Sequence, residues 1–115
     1  MRLSSDDAAS LWLRDLVPDP DSFDWDAGNR AKNVKHGVAA EEIESIFHET
    51  RFIFAGRIMD RAHAEWRGLV LGRGSSGRRL ALVFTRRGDK IRAISCRAMR
   101  PSERRLYEAS IQEDS

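Results

Sequence analysis

The chain has 115 residues and 13.1 kDa, with 41% hydrophobic and 33% charged residues, which fits one folded domain with a single modest core and excludes a disordered tail. No apolar run approaches the roughly 18 residues of a membrane span, the N-terminus "MRLSSDDAAS" has no secretory apolar stretch, and the lone Cys96 cannot pair within the chain. No membrane partner and a reducing cytoplasm are therefore expected. The net charge of +2 conceals a segregation: residues 1–50 carry five basic against eleven acidic side chains, net −6, and residues 51–105 carry fifteen against four, net +11. A segment so charged repels itself unless a polyanion or an acidic partner covers it, and nucleic acid is the first partner to consider.

In chain order, "SDDAASLWLRDLV" reads as a helix capped by Ser4 or Ser5 and closed by Pro18 and Pro20, so that residues 1–21 form an appended helix and linker before a domain over 22–115. "SFDW" is a short candidate strand. Asp26 is a good N-cap for a helix from Ala27 to His36 that stops at Gly37. On it Ala27, Ala31 and Val34 share one face, and Lys32, Lys35 and His36 cluster on another at i, i+3, i+4. A second helix spans about Ala40 to His48, with Val38 placed to staple onto Ile43 and Glu42 placed as half of a capping box, although Ala39 lacks the hydroxyl.

From Arg51 the period becomes strand-like. "RFIFAGRIM", "WRGLVLGRG", "RRLALVFTRRG" and "DKIRAISCRAM" are four β-rich runs with short glycine links, and Pro101 opens a final helix, "PSERRLYEASI". The expected fold class is α+β: N-terminal helices, an antiparallel four-stranded meander and a C-terminal helix. Strand parity puts Arg67, Leu69, Leu71 and Arg73 on one face; without a bulge, it points Arg92 and Arg97 to opposite faces.

Several short motifs have plain structural readings. "GRGSSGRR" lacks the ending of a phosphate-binding Walker loop and lies between two strands, so it reads as a hairpin turn, as does "RGD" at Arg87 to Asp89. Cys96 reads as a buried strand residue. His48 and His63 have no partner pattern for a metal cage, so no metal or cofactor is expected. His36, the one histidine in a cationic cluster, suits a proton shuttle or, equally, a cation at a helix C-terminus.

"FDWDAGNRAKNVKHGVAAEEIESIF" followed by "RGLVLGRGSSGRRLALVFTRRGDKIRAISCRAMRPSERRLYE" resembles the BrnT family of bacterial type II toxins. The matching landmarks include Trp25-Asp26, Lys35-His36-Gly37-Val38, Glu41-Glu42, Gly72-Arg73, Arg87-Gly88, Ile91-Arg92, Arg97, Glu103-Arg104 and Tyr107-Glu108, over about residues 22 to 109. Ala39 and Arg100 stand where the family often has a capping Ser or Thr, and Asn29 where many members have Lys. The resemblance implies a RelE-like ribonuclease toxin neutralised by a BrnA-like, DNA-binding antitoxin that alone contacts the operator. The substrate would be RNA, free or ribosome-bound. The alternative is a non-catalytic nucleic-acid-binding or antitoxin-sequestering module of the same fold.

RNA can be cut without metal when its own 2′-OH attacks the adjacent phosphate, which requires a base, an acid and cations over the charge that builds on phosphorus. Guanidinium forks suit that last task. The expected catalytic set is Arg67, Arg73 and Arg97 as phosphate clamps, Lys35 positioning the backbone and His36 as proton donor. Lys32, Arg87, Arg92 and Arg104 are the expected RNA-binding residues, and Arg92 is the alternate to Arg97.

Overall fold

A computed structural model describes residues 2–48, 52–60 and 64–113, apart from the side chains of residues 20, 34, 35, 112 and 113. The elements are β1 (Leu3–Ser4), α1 (Asp7–Arg14), a short 3-10 helix (Pro20–Ser22), α2 (Ala27–Lys35), α3 (Ala40–Ser45), β2 (Ile53–Ile58), β3 (Gly68–Arg73), β4 (Arg79–Arg87), β5 (Lys90–Ala98) and α4 (Pro101–Glu113). The strands form one antiparallel sheet in the order β1-β2-β3-β4-β5. The α+β meander read from the sequence is present, and the two-residue β1 adds a fifth strand by pairing Leu3 with Ile58 and Ser4 with Arg57. The cap of α1 is accordingly Asp6, whose Oδ1 accepts the Ala9 N–H at 3.1 Å, rather than Ser4 or Ser5. Ser4 is held in the sheet.

Both glycine-rich links are hairpin turns. Gly88, between β4 and β5, has φ +62°, which a side chain would strain. α3 ends at Ser45, three residues short of the expected His48, and Ala39 makes no side-chain cap. With no hydroxyl to pair with, Glu42 turns away from the capping box: its carboxylate accepts the Ser76 hydroxyl and lies 3.9 Å from Arg78, tying α3 to the β3–β4 turn. The first residue of the expected "RFIFAGRIM" strand, Arg51, lies outside the described residues, as does His63.

The sheet is covered on both faces. On one, Val70, Leu80, Leu82, Phe84, Ile91, Ala93 and Cys96 pack with Leu13 of α1 and with Val38, Ile43, Ile46 and Phe47 around α3. On the other, Leu69, Leu71 and Ala81 pack with Met99 and with Tyr107 of α4. Each fully buried side chain of this size contributes about 1.5–3 kcal/mol. Leu13, 2% exposed, belongs to the main core, and Trp12 carries the Arg86 guanidinium 4.3 Å above its ring.

α2 lies along the edge of β5 and satisfies it. "SFDW" forms only an isolated parallel bridge, Phe23 to Ile91, with the Asp24 N–H donating to Ile91 O at 2.8 Å. Asp26 caps α2 by accepting the Asn29 N–H at 3.0 Å, and Asn29 Oδ1 accepts the Asp26 N–H at 2.7 Å in return. At the far end α2 stops before Gly37, at φ +74°, as its sequence predicts. Between these ends Asn29 Nδ2 donates to Ala93 O at 3.3 Å, and Asn33 Oδ1 accepts the Cys96 N–H at 2.8 Å. Both asparagines are buried.

These two bonds bracket a β-bulge. Val83 pairs with Ser95 but Phe84 with Ala93, so Ile94 is the extra residue. The bulge reverses strand parity: Ile91, Ala93 and Cys96 all enter the same core. Arg92, opposite Thr85, and Arg97, opposite Ala81, then share the α4 face, because Thr85 and Ala81 lie four residues apart on unbulged β4. The opposed orientation read from strict alternation is corrected for this reason.

Replacing Asn33 by Ala leaves the buried Cys96 N–H without its acceptor, and a loss of about 1–3 kcal/mol in unfolding free energy is expected from urea titration. An unchanged midpoint would show that this edge needs no side-chain partner.

Candidate active site

The face that α4 covers at its centre is open at one end. There Arg67 and Arg87 share parity with Leu69 and Thr85 respectively, and Arg92 stands opposite Thr85. With Gly28, Asn29 and Lys32 of α2, and with Glu65, they line a cleft of about 280 Å³. Four cations, from α2, the residue before β3, β4 and β5, thus line the cleft together with one carboxylate. Arg67 Nε is buried and has no hydrogen-bond partner among the described residues, so a donor is held out of water with nothing to accept it. Arg92 is held differently: its Nη2 donates to Asp26 Oδ2 at 2.8 Å, and its Nη1 lies 3.5 Å from Asp24 Oδ2. The Asn29 N–H, followed by Arg92, holds the Asp26 carboxyl below its usual range, and Asp26 in turn raises Arg92.

The remaining residues named from the sequence lie elsewhere. Arg73 is at the opposite end of the Leu69–Leu71 row, about 20 Å from Arg67 at ~3.3 Å per residue, with α4 packed between them. It lines a separate groove with Arg79, Tyr107 and Glu108. Arg97 is engaged by Glu103 of α4 through a bidentate pair at 2.7 and 2.9 Å. His36 is exposed in the turn after α2, one helical turn or about 6 Å beyond Lys32. Arg104 is exposed on α4. The side chain of Lys35 lies outside the described residues. The sequence reading brought together Arg67, Arg87, Arg92 and Lys32 only as separate candidates, and it passed over Glu65 and Thr85. Their signal was parity, since Glu65 and Arg67 are two apart at the entry to β3.

Burial pushes the Cys96 thiol up to about 12, so it is a packed core atom and not a nucleophile at neutral pH. Among the described residues no three His, Cys, Asp or Glu side chains converge as a metal site would require, and no helix is long and apolar enough to cross a membrane.

A small antiparallel sheet with cations gathered in one cleft, in a chain whose second half is strongly basic, defines a protein that binds a polyanion. Comparison with protein families narrows that class. The model of the BrnT ribonuclease toxin of type II toxin-antitoxin systems matches residues 25–103, and the chain belongs to this family. A search among curated proteins finds no match. The chain is thus a ribonuclease toxin, and a type II system implies a cognate antitoxin.

Within the fold, the Arg97–Glu103 pair closes the start of α4. Glu103 Oε1 also accepts the Arg100 N–H at 2.8 Å, the first free donor of the helix, and so offsets the missing Ser or Thr cap. Its carboxyl is held below the ordinary 4.5, chiefly by the Arg97 hydrogen bonds and against the opposing effect of burial. A lowered carboxyl stabilises the fold above its unfolded value, and that contribution disappears as pH falls through the folded value. Glu103→Gln should therefore cost about 1–3 kcal/mol at pH 7, and the gap to wild type should close below about pH 4 in thermal melts. A pH-independent gap would assign the loss to packing instead.

Proposed function

We propose that the RNA cut of this toxin takes place in the cleft of Lys32, Arg67, Arg87 and Arg92. The observation that carries this reading is the convergence of three guanidinium groups and one ammonium, from separate elements, on the lining of one cleft. A phosphate in the cleft would be met by the planar forks of Arg67, Arg87 and Arg92, which would spread over the charge of the pentacoordinate phosphorus. Arg92 is aimed in advance by Asp24 and Asp26, so little side-chain entropy is lost when it engages. Lys32 takes the neighbouring backbone phosphate. His36, in the turn after α2 and one helical turn beyond Lys32, reaches in from outside the cleft lining to supply the proton to the departing 5′ oxygen, with Lys35 beside it in sequence positioning the strand. Thus the 2′-OH attacks its own phosphate, and the reaction calls on groups of the chain alone.

Arg97 acts in this reading as a positioning residue that fixes α4 through Glu103. Arg73 and Arg104 take more distant phosphates. The partner is a BrnA-like antitoxin whose DNA-binding half contacts the operator, and the substrate RNA is met in the cytoplasm, free or on the ribosome.

Arg67→Ala should cut RNA at least about 10²-fold more slowly, with weaker affinity, and every phosphate left without its cation should reduce the salt slope of binding by roughly 0.7. Arg73→Ala should change the salt slope and leave the cleavage rate within a few-fold. Equal cleavage by wild type and Arg67→Ala would move the reaction out of this cleft. His36→Lys retains a cation at the end of α2 but not the proton chemistry, so single-turnover cleavage should fall by roughly 10² while affinity is kept. Near wild-type cleavage by that variant would remove His36 from the reaction.

A further inference from the structure

The cleft contains one carboxylate with no place in the scheme above. Glu65 is exposed and lies in the irregular segment that enters β3. Among the described residues it makes no hydrogen bond or ion pair, although four cations line the same cleft. Asp24 and Asp26, the carboxylates at the entry to α2, are already engaged by Arg92, and Asp26 also accepts the Asn29 N–H.

The segment that carries Glu65 is firmly held. The neighbouring Trp66 turns to the opposite face, stacked 6.3 Å from Phe54 and edge-on 5.6 Å from Phe84, and its Nε1 donates to Asp6 Oδ2 at 2.9 Å. The Thr85 hydroxyl donates to Trp66 O at 2.6 Å. Glu65 and Arg67, on either side of this anchor, both line the cleft. A carboxylate and a guanidinium on one cleft lining, flanking one anchored tryptophan, with neither the carboxylate nor the Arg67 Nε partnered among the described residues, is the arrangement in which a base meets the nucleophile while a cation meets the phosphate.

We infer that Glu65 is the general base of the cut, a role that rests on the cleft reading above. Its carboxylate takes the proton of the 2′-hydroxyl as the 2′ oxygen bonds to phosphorus and the bond from phosphorus to the 5′ oxygen breaks. The 5′ oxygen leaves with a proton from His36. The products are a 2′,3′-cyclic phosphate and a 5′-hydroxyl, and Glu65 returns its proton to water. The charged groups that share its cleft are Lys32 from α2, Arg67 just before β3, Arg87 from β4 and Arg92 from β5.

The test uses the full chain, an RNA that the wild type cuts, and the same RNA with 2′-O-methyl groups as an uncleavable ligand. Glu65→Gln should lower single-turnover cleavage by about 10²–10⁴-fold, leave the melting temperature unchanged, and bind the methylated RNA as tightly as wild type or more so. The acid limb of the wild-type pH profile should vanish in the variant. Glu65→Asp should recover part of the rate. Cleavage by Glu65→Gln within threefold of wild type would overturn the inference, as would equal losses of rate and affinity. Arg67→Ala, measured alongside, separates the two claims: if it is inactive while Glu65→Gln is active, only the base assignment falls. If Arg67→Ala is fully active, the cleft itself is wrong.

Discussion

The pairing of two buried asparagines on α2 with the backbone of β5 governs the geometry of this toxin. Asn29 and Asn33 are one helical turn apart and meet Ala93 O and Cys96 N–H, on either side of the extra residue Ile94. An edge strand with open donors and acceptors invites pairing with other chains, and here a helix occupies that edge instead. The same hydrogen bonds hold the bulge, and the bulge decides which face Arg92 occupies. With regular pairing Arg92 would point into the face of Leu82 and Phe84, where a charge could not be solvated. With the bulge it joins Arg67 and Arg87.

The opposed charges of the two halves of the chain acquire a meaning in this light. The basic half builds the sheet strands and α4, and its arginines emerge at the ends of strands whose centres are apolar. The acidic half contributes the helices around them, and two of its carboxylates, Asp24 and Asp26, reach Arg92. Local neutralisation orients one guanidinium, and Arg67 Nε has no acceptor among the described residues. A ribonuclease that works by stabilising charge on phosphorus needs such a division between cations already satisfied, which hold the fold, and cations still unsatisfied, which receive the substrate. Arg97, paired with Glu103, belongs to the first group, and Arg92, held by Asp24 and Asp26 while lining the cleft, belongs to both.

Much of this was legible in the sequence. The Asp26 cap, the stop at Gly37, the two hairpin turns and the meander followed from capping chemistry, glycine placement and alternation, and the family from the resemblance of its ordered motifs. Strand parity failed at Ile94, because a bulge held by a helix from about 60 residues away leaves no local mark in "KIRAISCRA". Leu3–Ser4 went unread as a strand because two residues have no period. Arg97 was legible as a cation but not as the partner of Glu103, which lies on the next element. Glu65 was missed because it precedes the first residue of its strand-like run, although its spacing from Arg67 is that of two neighbours on one face.

The central claim is that RNA phosphate meets Arg67 in the cleft beside the bulge. The most direct measurement is a titration of the toxin with 2′-O-methyl RNA while the arginine Nε–H resonances are followed by NMR. The Arg67 resonance should move most, with Arg92 and Arg87 following, and the resonance of Arg97, secured by Glu103, should stay in place. A titration that moves Arg73 and Arg79 while Arg67 remains unperturbed would contradict the account.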